Sequence, residues 1–389
     1  MSNTITAIMP KILARGLLAL RERVVMPRLV NGDYSAEAAQ KGATIDVPYS
    51  QSKTAKDVTP SNTDPAADNS EPKFVQITLD HWKHSDFHLT DKEMAQIDAN
   101  EHFIPLEMQE SINALATFVN ATILAEYKGV YGYAGTAGTT PFGGSGDAAG
   151  VKGATLARKV LNEQKAPLAS RFGVLDFTAE AEALGLSAFS DAEKIGSNGV
   201  KIEGEIGRKY GIQWTADDQV PTHVAGTITT GLVAKAATAQ AVGLKAIVCT
   251  TAASTGACAL KEGDIVTFAG DSQTYVLTAD ATQASAATDV TLNIEPGLKI
   301  ALAGGEDVSV KGDHVVNIVA HRDAFAFAQR PLLTESDGLG SRIMTMTDPM
   351  TGISLRLEVT RQYKQTVWDL DILFGAKLVR RELATRLAG

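Results

Sequence analysis

The segments TIDVPY at Thr44–Tyr49 and KFVQITL at residues 73–79 decide the fold, because each alternates apolar and polar side chains as a half-buried strand does. Between them, residues 51–72 hold Ser, Thr, Asn, Asp, Lys, Ala and Pro, with Val58 as the single large apolar side chain. Unstructured connections longer than about 12–15 residues are uncommon inside compact domains and are usually functional or disordered. We therefore predict an extended hairpin whose tip, residues 51–72, becomes ordered on a neighbouring subunit.

Charged side chains in this tip and in the N-terminal segment are the candidate contacts between subunits. They are Lys53, Lys56, Asp57, Asp64, Asp68 and Glu71 in the tip, with Arg15 and Arg21 near the N-terminus. A helix is predicted over residues 10–26, ended by Pro27, because Leu13, Leu17, Leu20 and Val24 share one face. Such a stripe could lie on a membrane, but packing on a partner or on its own domain is commoner.

Length and composition describe a soluble globular protein. A chain of 389 residues predicts two or three domains, and a formal net charge of −9 counts against a general nucleic-acid binder. No apolar run reaches the roughly 18 residues that a membrane-spanning helix needs, and no secretory signal is recognised. Cys249 and Cys258 lack CxxC spacing and are too few for a disulfide scaffold, so we expect free thiols in a reducing cytoplasm.

A long helix is predicted from Pro105 to Gly129, roughly 35 Å at 1.5 Å per residue, and could form the spine of a flat domain. Its predicted core stripe is Met108, Ile112, Leu115, Val119 and Ile123. A loop is predicted over residues 131–150, a short helix over 151–165 and a buried strand over 172–177.

A composition break marks residues 222–313, which contain no Arg or Trp and only Phe268 and Tyr275 as aromatics. Their short strands, separated by turn signals, predict a small barrel or sandwich inserted into another domain. A β-meander is predicted after it. Its apolar side chains alternate along two strands: Ile353, Leu355, Leu357 and Val359, then Trp368, Leu370, Ile372 and Phe374.

Three sets of residues could carry chemistry. They are the histidines His81, His84 and His88, the carboxylate pairs Asp217/Asp218 and Asp369/Asp371, and the glycine-rich segment 143–150. Neighbouring histidines would point to opposite faces of a strand or lie about 13 Å apart, too far for one zinc ion. We predict that both carboxylate pairs are solvated surface, and the glycine-rich segment lacks the Walker spacing. We therefore predict no catalytic, metal-binding or cofactor-binding residues, and no enzyme.

Several strings, in order along nearly the whole chain, resemble the major coat protein family of the P-22-type tailed phages. They are DYS at 33–35 with GATIDV at 42–47, DFHL at 86–89, GEIGRKYGI at 204–212, QVPTHVAGT at 219–227, LKEGDIVTFAG at 260–270, and WDLDILFG at 368–375 through LATRL at 383–387. Asp271 departs from the pattern, because relatives often carry an apolar residue there.

The resemblance implies an α+β fold of the HK-97-like phage capsid type. The implied parts are an N-terminal arm (1–40), an extended loop (41–95), a peripheral domain with the spine helix (96–170), an axial domain (171–221 and 314–389, the latter with the C-terminal tail) and an inserted β-barrel domain (222–313).

It further implies a structural protein that self-assembles as hexamers and pentamers into an icosahedral head around phage double-stranded DNA. Scaffolding, portal and decoration proteins would be its partners. The virion would be its location, after assembly in the host bacterial cytoplasm. An encapsulin-like compartment of the same fold is the alternative, although the insertion counts against it. An enzyme using the histidine or carboxylate clusters is a further alternative.

Overall fold

Two large β-sheets, a hairpin and a closed barrel carry the described part of the chain. The computed structural model describes residues 24–34, 44–49, 73–92, 106–143, 150–190, 206–228, 231–235, 240–251, 258–283, 288–332, 341–348 and 351–389, together with Ala55, Asp57, Val58 and Pro60. Within these residues, no helix is both long and apolar enough to cross a membrane.

Strands outnumber helices among the described elements. The helices are α1 Met26–Leu29, α2 Leu106–Ala125, α3 Lys152–Glu163, α4 Phe177–Gly185 and α5 Ser187–Ser190. The strands are β1 Thr44–Tyr49, β2 Lys73–Thr78, β3 His81–Thr90, β4 Gly132–Gly135, β5 Arg171–Leu175, β6 Gly207–Lys209, β7 Ile212–Ala216, β8 Thr222–His223, β9 Thr227–Ile228, β10 Leu232–Ala234, β11 Ala246–Thr251, β12 Cys258–Leu260, β13 Ile265–Phe268, β14 Tyr275–Leu277, β15 Ala281–Gln283, β16 Val290–Glu295, β17 Asp307–Val310, β18 His314–His321, β19 Phe325–Gln329, β20 Arg342–Thr347, β21 Ser354–Gln362, β22 Gln365–Leu378 and β23 Ala384–Ala388. Short 3-10 turns lie at Glu126–Gly129, Arg322–Ala324 and Arg381–Leu383.

The long sheet, in the order β19-β22-β21-β20 with β3 on the other side of β22, packs against α2. The predicted meander is confirmed: β20, β21 and β22 pair antiparallel, and the alternating apolar side chains of β21 and β22 are buried. Helix α2, about 30 Å long, places the whole predicted stripe, Met108 to Ile123, in the same core. Phe118 of α2 meets Phe374 of β22 edge to face, with ring centroids 6.0 Å apart.

The central sheet has the order β4-β23-β18-β5-β7-β6. Strand β5 is buried at every residue, and β23 is inserted between β4 and β18. The prediction of a loop over residues 131–150 is wrong at its start. Gly132–Gly135 forms β4, which pairs in parallel with β23. The sequence GYAG contains too few apolar residues to predict a strand. Its strand partner, β23, lies more than 200 residues further along the chain, so the pairing cannot be predicted from neighbouring residues either.

The insertion forms a closed barrel in the strand order β10-β11-β16-β14-β13-β17, which confirms the predicted small β unit. Its interior has an apolar core of its own, distinct from the core under α2. Asp271 helps to close a barrel turn, because its carboxylate accepts hydrogen bonds from the Gln273 amide and the Tyr275 hydroxyl at 2.9 and 2.5 Å. Strand β8 leads into the barrel and pairs with the start of β18, which leaves it.

Candidate assembly surfaces

The base of the hairpin is fixed to the long sheet by a small apolar core. Strands β1 and β2 pair in the register Thr44↔Thr78 to Tyr49↔Lys73, which confirms the hairpin. One hairpin face buries apolar side chains against Ala326 and Ala328 of β19: Ile45, Val47, Ile77 and Leu79. Burial of four such side chains is enough to hold the base in one orientation. The base of the hairpin is therefore part of the folded body.

The hairpin crosses β22 at a glycine. A Cβ atom at Gly375 would lie 2.2 Å from the carbonyl oxygen of Thr78 and 3.2 Å from Cγ2 of Ile77. No real Cβ tolerates the first of these distances, so the crossing requires a residue without a side chain. Leu79 and Asp80, which belong to no strand, separate β2 from β3. The prediction of one continuous strand over residues 73–89 is therefore wrong: the two halves pair with different sheets.

The opposite face of the hairpin is open to solvent. Phe74 is 63% exposed and lies directly across from Pro48. On the same face, Gln76 donates a hydrogen bond to Asp46 at 3.2 Å. An exposed aromatic ring across from a proline on the solvent-facing side of the hairpin is a surface that a partner could cover.

The outer face of the long sheet carries a row of like charges. Asp86 of β3, Asp369 of β22 and Glu358 of β21 are direct cross-strand neighbours. Like charges directly opposite each other destabilise a sheet. Burial raises the pKa of Asp369, and His84, 3.2 Å away, acts in the opposite direction. The row therefore gives this face a negative potential.

One end of this face holds a structural ion pair and an exposed tryptophan. Arg356 Nε donates to Asp371 at 2.9 Å, and Trp82 Nε1 donates to the same carboxylate at 3.2 Å. Asp371 is 4% exposed, so the prediction that it is solvated surface is wrong. The Asp371 hydrogen bond raises the pKa of Arg356. The ring of Trp82 remains 64% exposed.

Asp217 is likewise buried, so the prediction of a solvated surface turn is wrong there too. Asn120 of α2 donates to Asp217, and its amide oxygen accepts from the Met26 backbone N–H at 2.9 Å. The Gln219 backbone N–H donates to the other Asp217 oxygen at 2.8 Å. Burial raises the pKa of Asp217, and the Asn120 hydrogen bond opposes that change. Asn120, Asp217 and the Met26 N–H, here called the Asn120 cluster, thus connect the first residue of α1 to α2 and to the end of β7 in the central sheet.

The architecture is shared with a solved phage structure. No family model matches the chain, and no curated protein matches it. A chain of Mycobacterium phage Che8 superposes with a TM-score of 0.52 at 14% identity, over 94% of this chain and 90% of that one. This chain has the fold of the Che8 chain.

Two further solved structures match with lower TM-scores. The capsid structure of cyanophage P-SCSP1u gives 0.44 at 13% identity, over 89% of this chain and 83% of that one. The virus-like particle from Pyrococcus furiosus gives 0.42 at 6% identity, over 97% and 98%.

The candidate contact residues fall largely outside the described residues. Asp57 is described and exposed. Seven lie outside: Lys53, Lys56, Asp64, Asp68, Glu71, Arg15 and Arg21. Residues 10–23 of the predicted N-terminal helix also lie outside the described residues. Pro27, predicted to end it, instead sits in the first turn of α1.

The residues considered for chemistry are dispersed in the described parts of the chain. His81 packs against the rings of Phe118 and Phe374 with centroids 6.0 and 5.2 Å away, whereas His84 and His88 lie on the outer face. No three His, Cys, Asp or Glu side chains converge as metal ligands within the described residues. Cys249 and Cys258 are buried free thiols, and burial raises the pKa of Cys249 to about 12. Such a thiol is a poor nucleophile near neutral pH.

Proposed function

We propose that the chain is a major capsid protein, the structural subunit of an icosahedral phage head, and not an enzyme. The observation that carries the proposal is the fold shared with a phage chain over nearly the full length of both. The ordered strings that resemble the P-22-type coat family support the finer assignment to that group. The protruding hairpin, the spine helix under a long sheet and the inserted barrel are the parts that this resemblance implies.

Assembly would use the hairpin as a projecting contact arm. Its base packs on β19 through the Ile45–Val47–Ile77–Leu79 core, which would orient strands β1 and β2 towards a neighbour. Because each subunit repeats the same contacts, individually weak interactions add up across the shell. Arg15, Arg21 and the charged tip residues are the proposed contacts, and the acidic row on the long sheet offers a surface of opposite sign to the arginines.

The shell would enclose double-stranded DNA without sequence-specific binding. A net charge of −9 suits a container that must release its DNA, because an acidic wall does not hold phosphates tightly. Hexamers and pentamers of the chain would form the shell in the bacterial cytoplasm, with scaffolding, portal and decoration proteins as partners. The virion would be its final location.

Electron microscopy of the expressed protein tests this function. We expect closed particles of uniform size after expression alone or with a scaffolding protein of the same phage. Soluble monomers under both conditions, at concentrations where other phage shells form, would contradict the proposal. The contents of particles from infected cells separate the two containers: packaged DNA supports a phage head, whereas a packaged protein without DNA supports the encapsulin-like alternative.

A further inference from the structure

Five parts of the chain meet in a buried polar cluster where the barrel joins the body. We call this the barrel joint, and its members are Tyr127 after α2, His223 of β8, Asp264 of the barrel, His314 of β18 and Arg386 of β23. The joint lies beside both connections to the barrel, since His223 and His314 are paired residues of β8 and β18.

A hydrogen-bonded chain links the body to the barrel through His223. The Tyr127 hydroxyl lies 3.0 Å from Nδ1 of His223, and Nε2 of His223 lies 2.8 Å from Oδ1 of Asp264. The Asp264 carboxylate acts only as a hydrogen-bond acceptor here, because the backbone N–H groups of Gly226 and Lys261 also donate to it. Nε2 of His223 therefore donates to Asp264, and the Tyr127 hydroxyl continues the hydrogen-bonded chain at Nδ1.

Arg386 supplies the positive charge of the joint. It is fully buried, and its guanidinium lies 5.0 Å from the centre of the Tyr127 ring. Its one hydrogen bond within the described residues is from Nη2 to the Lys128 carbonyl at 3.3 Å. Burial lowers its pKa to about 10, so it stays protonated at neutral pH.

His314 has no place for a second proton. Its ring lies 5.3 Å from that of His223 and 5.4 Å from that of Tyr133. Nδ1 lies 2.8 Å from the Gly312 carbonyl oxygen and must donate to it, while the buried Nε2 has no hydrogen-bonding partner among the described residues. Protonation at Nε2 would bury an unpaired N–H and add a second positive charge close to Arg386.

We propose that the barrel joint is an acid-sensitive latch: protonation of His314 releases the barrel from the body while both keep their own folds. The titratable and charged groups that face the joint are Tyr127 and Lys128 beside α2, Tyr133 of β4, Lys261, Glu262 and Asp264 of the barrel, Lys311 and Asp313 before β18, His223 of β8 and Arg386 of β23. Asp313 partly opposes the effect, because its charge favours protonated His314.

The direction in which pH changes docking of the barrel follows from the pKa of His314 in the closed joint. Burial lowers the pKa of His314 to about 4, from the value of about 6.5 that it regains in water when the joint opens. Docking is therefore strongest above about pH 6.5 and weakens as the pH falls towards 4, because only the open form takes up the proton in that window. The closed-to-open ratio should fall up to tenfold per pH unit, or about 300-fold over the window.

Hydrogen–deuterium exchange of the full chain at pH 7.5 and 4.5 tests the latch, with labelling times matched for the intrinsic exchange rate at each pH. We expect peptides that cover residues 222–228, 261–264 and 311–316 to lose protection at pH 4.5. Peptides from β20 and β21 should keep theirs, because these strands pair only with each other and with β22, none of which carries a member of the joint. Equal protection of the joint peptides at both pH values overturns the proposal.

Two variants test whether His314 causes the loss of protection at acid pH. His314→Asn keeps a donor for the Gly312 carbonyl but cannot titrate, so the joint peptides should respond less to acid than in the parent chain. His88→Asn is the matched control on the exposed face of β3 and should respond like the parent. An unchanged response of His314→Asn overturns the assignment to His314. If that variant does not fold at pH 7.5, histidine NMR of the parent decides: a His314 signal that titrates near 6.5 in the closed form overturns the latch.

Discussion

Gly375 permits the hairpin to cross the long sheet, and a single methyl group tests that contact. Gly375→Ala should destabilise the unassembled protein by about 1–3 kcal/mol, because the Thr78 backbone must move to accept the Cβ atom. Gly32→Ala is the control, since no heavy atom lies within 4 Å of its Cβ position and the adjacent Asn31 bridges Ala326 of the same sheet. Urea unfolding followed by tryptophan fluorescence reports on the long sheet through Trp82 and Trp368, and on the central sheet through Trp214. Equal midpoints for the two variants would contradict the crossing.

The Asn120 cluster gives a second test at the residue scale. Asn120→Ala removes the acceptor of the Met26 N–H and a donor to Asp217, both buried, and should cost about 1–3 kcal/mol of unfolding free energy. Asn113→Ala, on the partly exposed side of the same helix, should change it by less than about 0.7 kcal/mol. Chemical denaturation of both variants measures the difference. A cost for Asn113→Ala as large as for Asn120→Ala would show that the helix, not the cluster, responds.

Burial of single charged residues was not predictable from the sequence. Asp217 and Asp371 were predicted to be surface residues because a carboxylate pair next to a turn or on a polar strand face is usually solvated. Their partners, Asn120 and Arg356, lie 97 and 15 residues away and are brought close only by the fold. The barrel joint has the same origin, because its five members are distributed from residue 127 to residue 386.

At the scale of elements, helix α2 carries the clearest prediction. Leu115 is 3% exposed in the middle of the stripe, so Leu115→Ala should leave a cavity and cost about 2–5 kcal/mol. Thr117→Ala, on the partly exposed side of the helix, should stay within about 0.5 kcal/mol of the parent. Thermal melts of the two variants give the comparison. A parent-like melt for Leu115→Ala would mean that the stripe does not face the core.

Elements with strict periodicity were predictable, and those defined by remote pairing were not. The hairpin strands and the β21–β22 pair alternate with period two, and α2 repeats apolar residues every three or four positions, so pattern alone locates them. Strand β4 is short, glycine-rich and set by its pairing with β23. The break between β2 and β3 follows from a change of sheet at Leu79 and Asp80, which alternation along one strand cannot show.

For the whole molecule, the closed barrel and its separate core predict that residues 222–313 fold as an isolated fragment. We expect a dispersed amide spectrum by NMR, because the interior side chains contact one another and not the body. The surface around Ile265 and Val276, which contacts Tyr131 of the body, becomes exposed in the fragment and should lower its solubility. A collapsed spectrum in the soluble fragment would contradict an independently folding insertion.

Replacement of residues 51–72 by a short Gly-Ser turn tests the hairpin as an assembly arm. The strands β1 and β2 should keep their register, because a two-residue turn can close a hairpin and the apolar base remains. Circular dichroism should match the parent, whereas sedimentation and microscopy should show failed or irregular shells. Normal shells from the shortened chain would exclude a role of the tip in assembly. Loss of the folded monomer would instead show that residues 51–72 are needed for the fold of the subunit itself.

The pairing of β8 with the start of β18 has a consequence for evolution and engineering. Thr222 pairs with Val315 and His223 with His314, so the chain leaves the body and returns to it through adjacent backbone positions, with paired Cα atoms about 4.5–5.5 Å apart. A recombination event could therefore exchange the segment between them for an unrelated module whose termini lie equally close, provided that the new module covers the buried side chains of the barrel joint. The same position offers a graft site at which each subunit of an assembly would display one foreign domain.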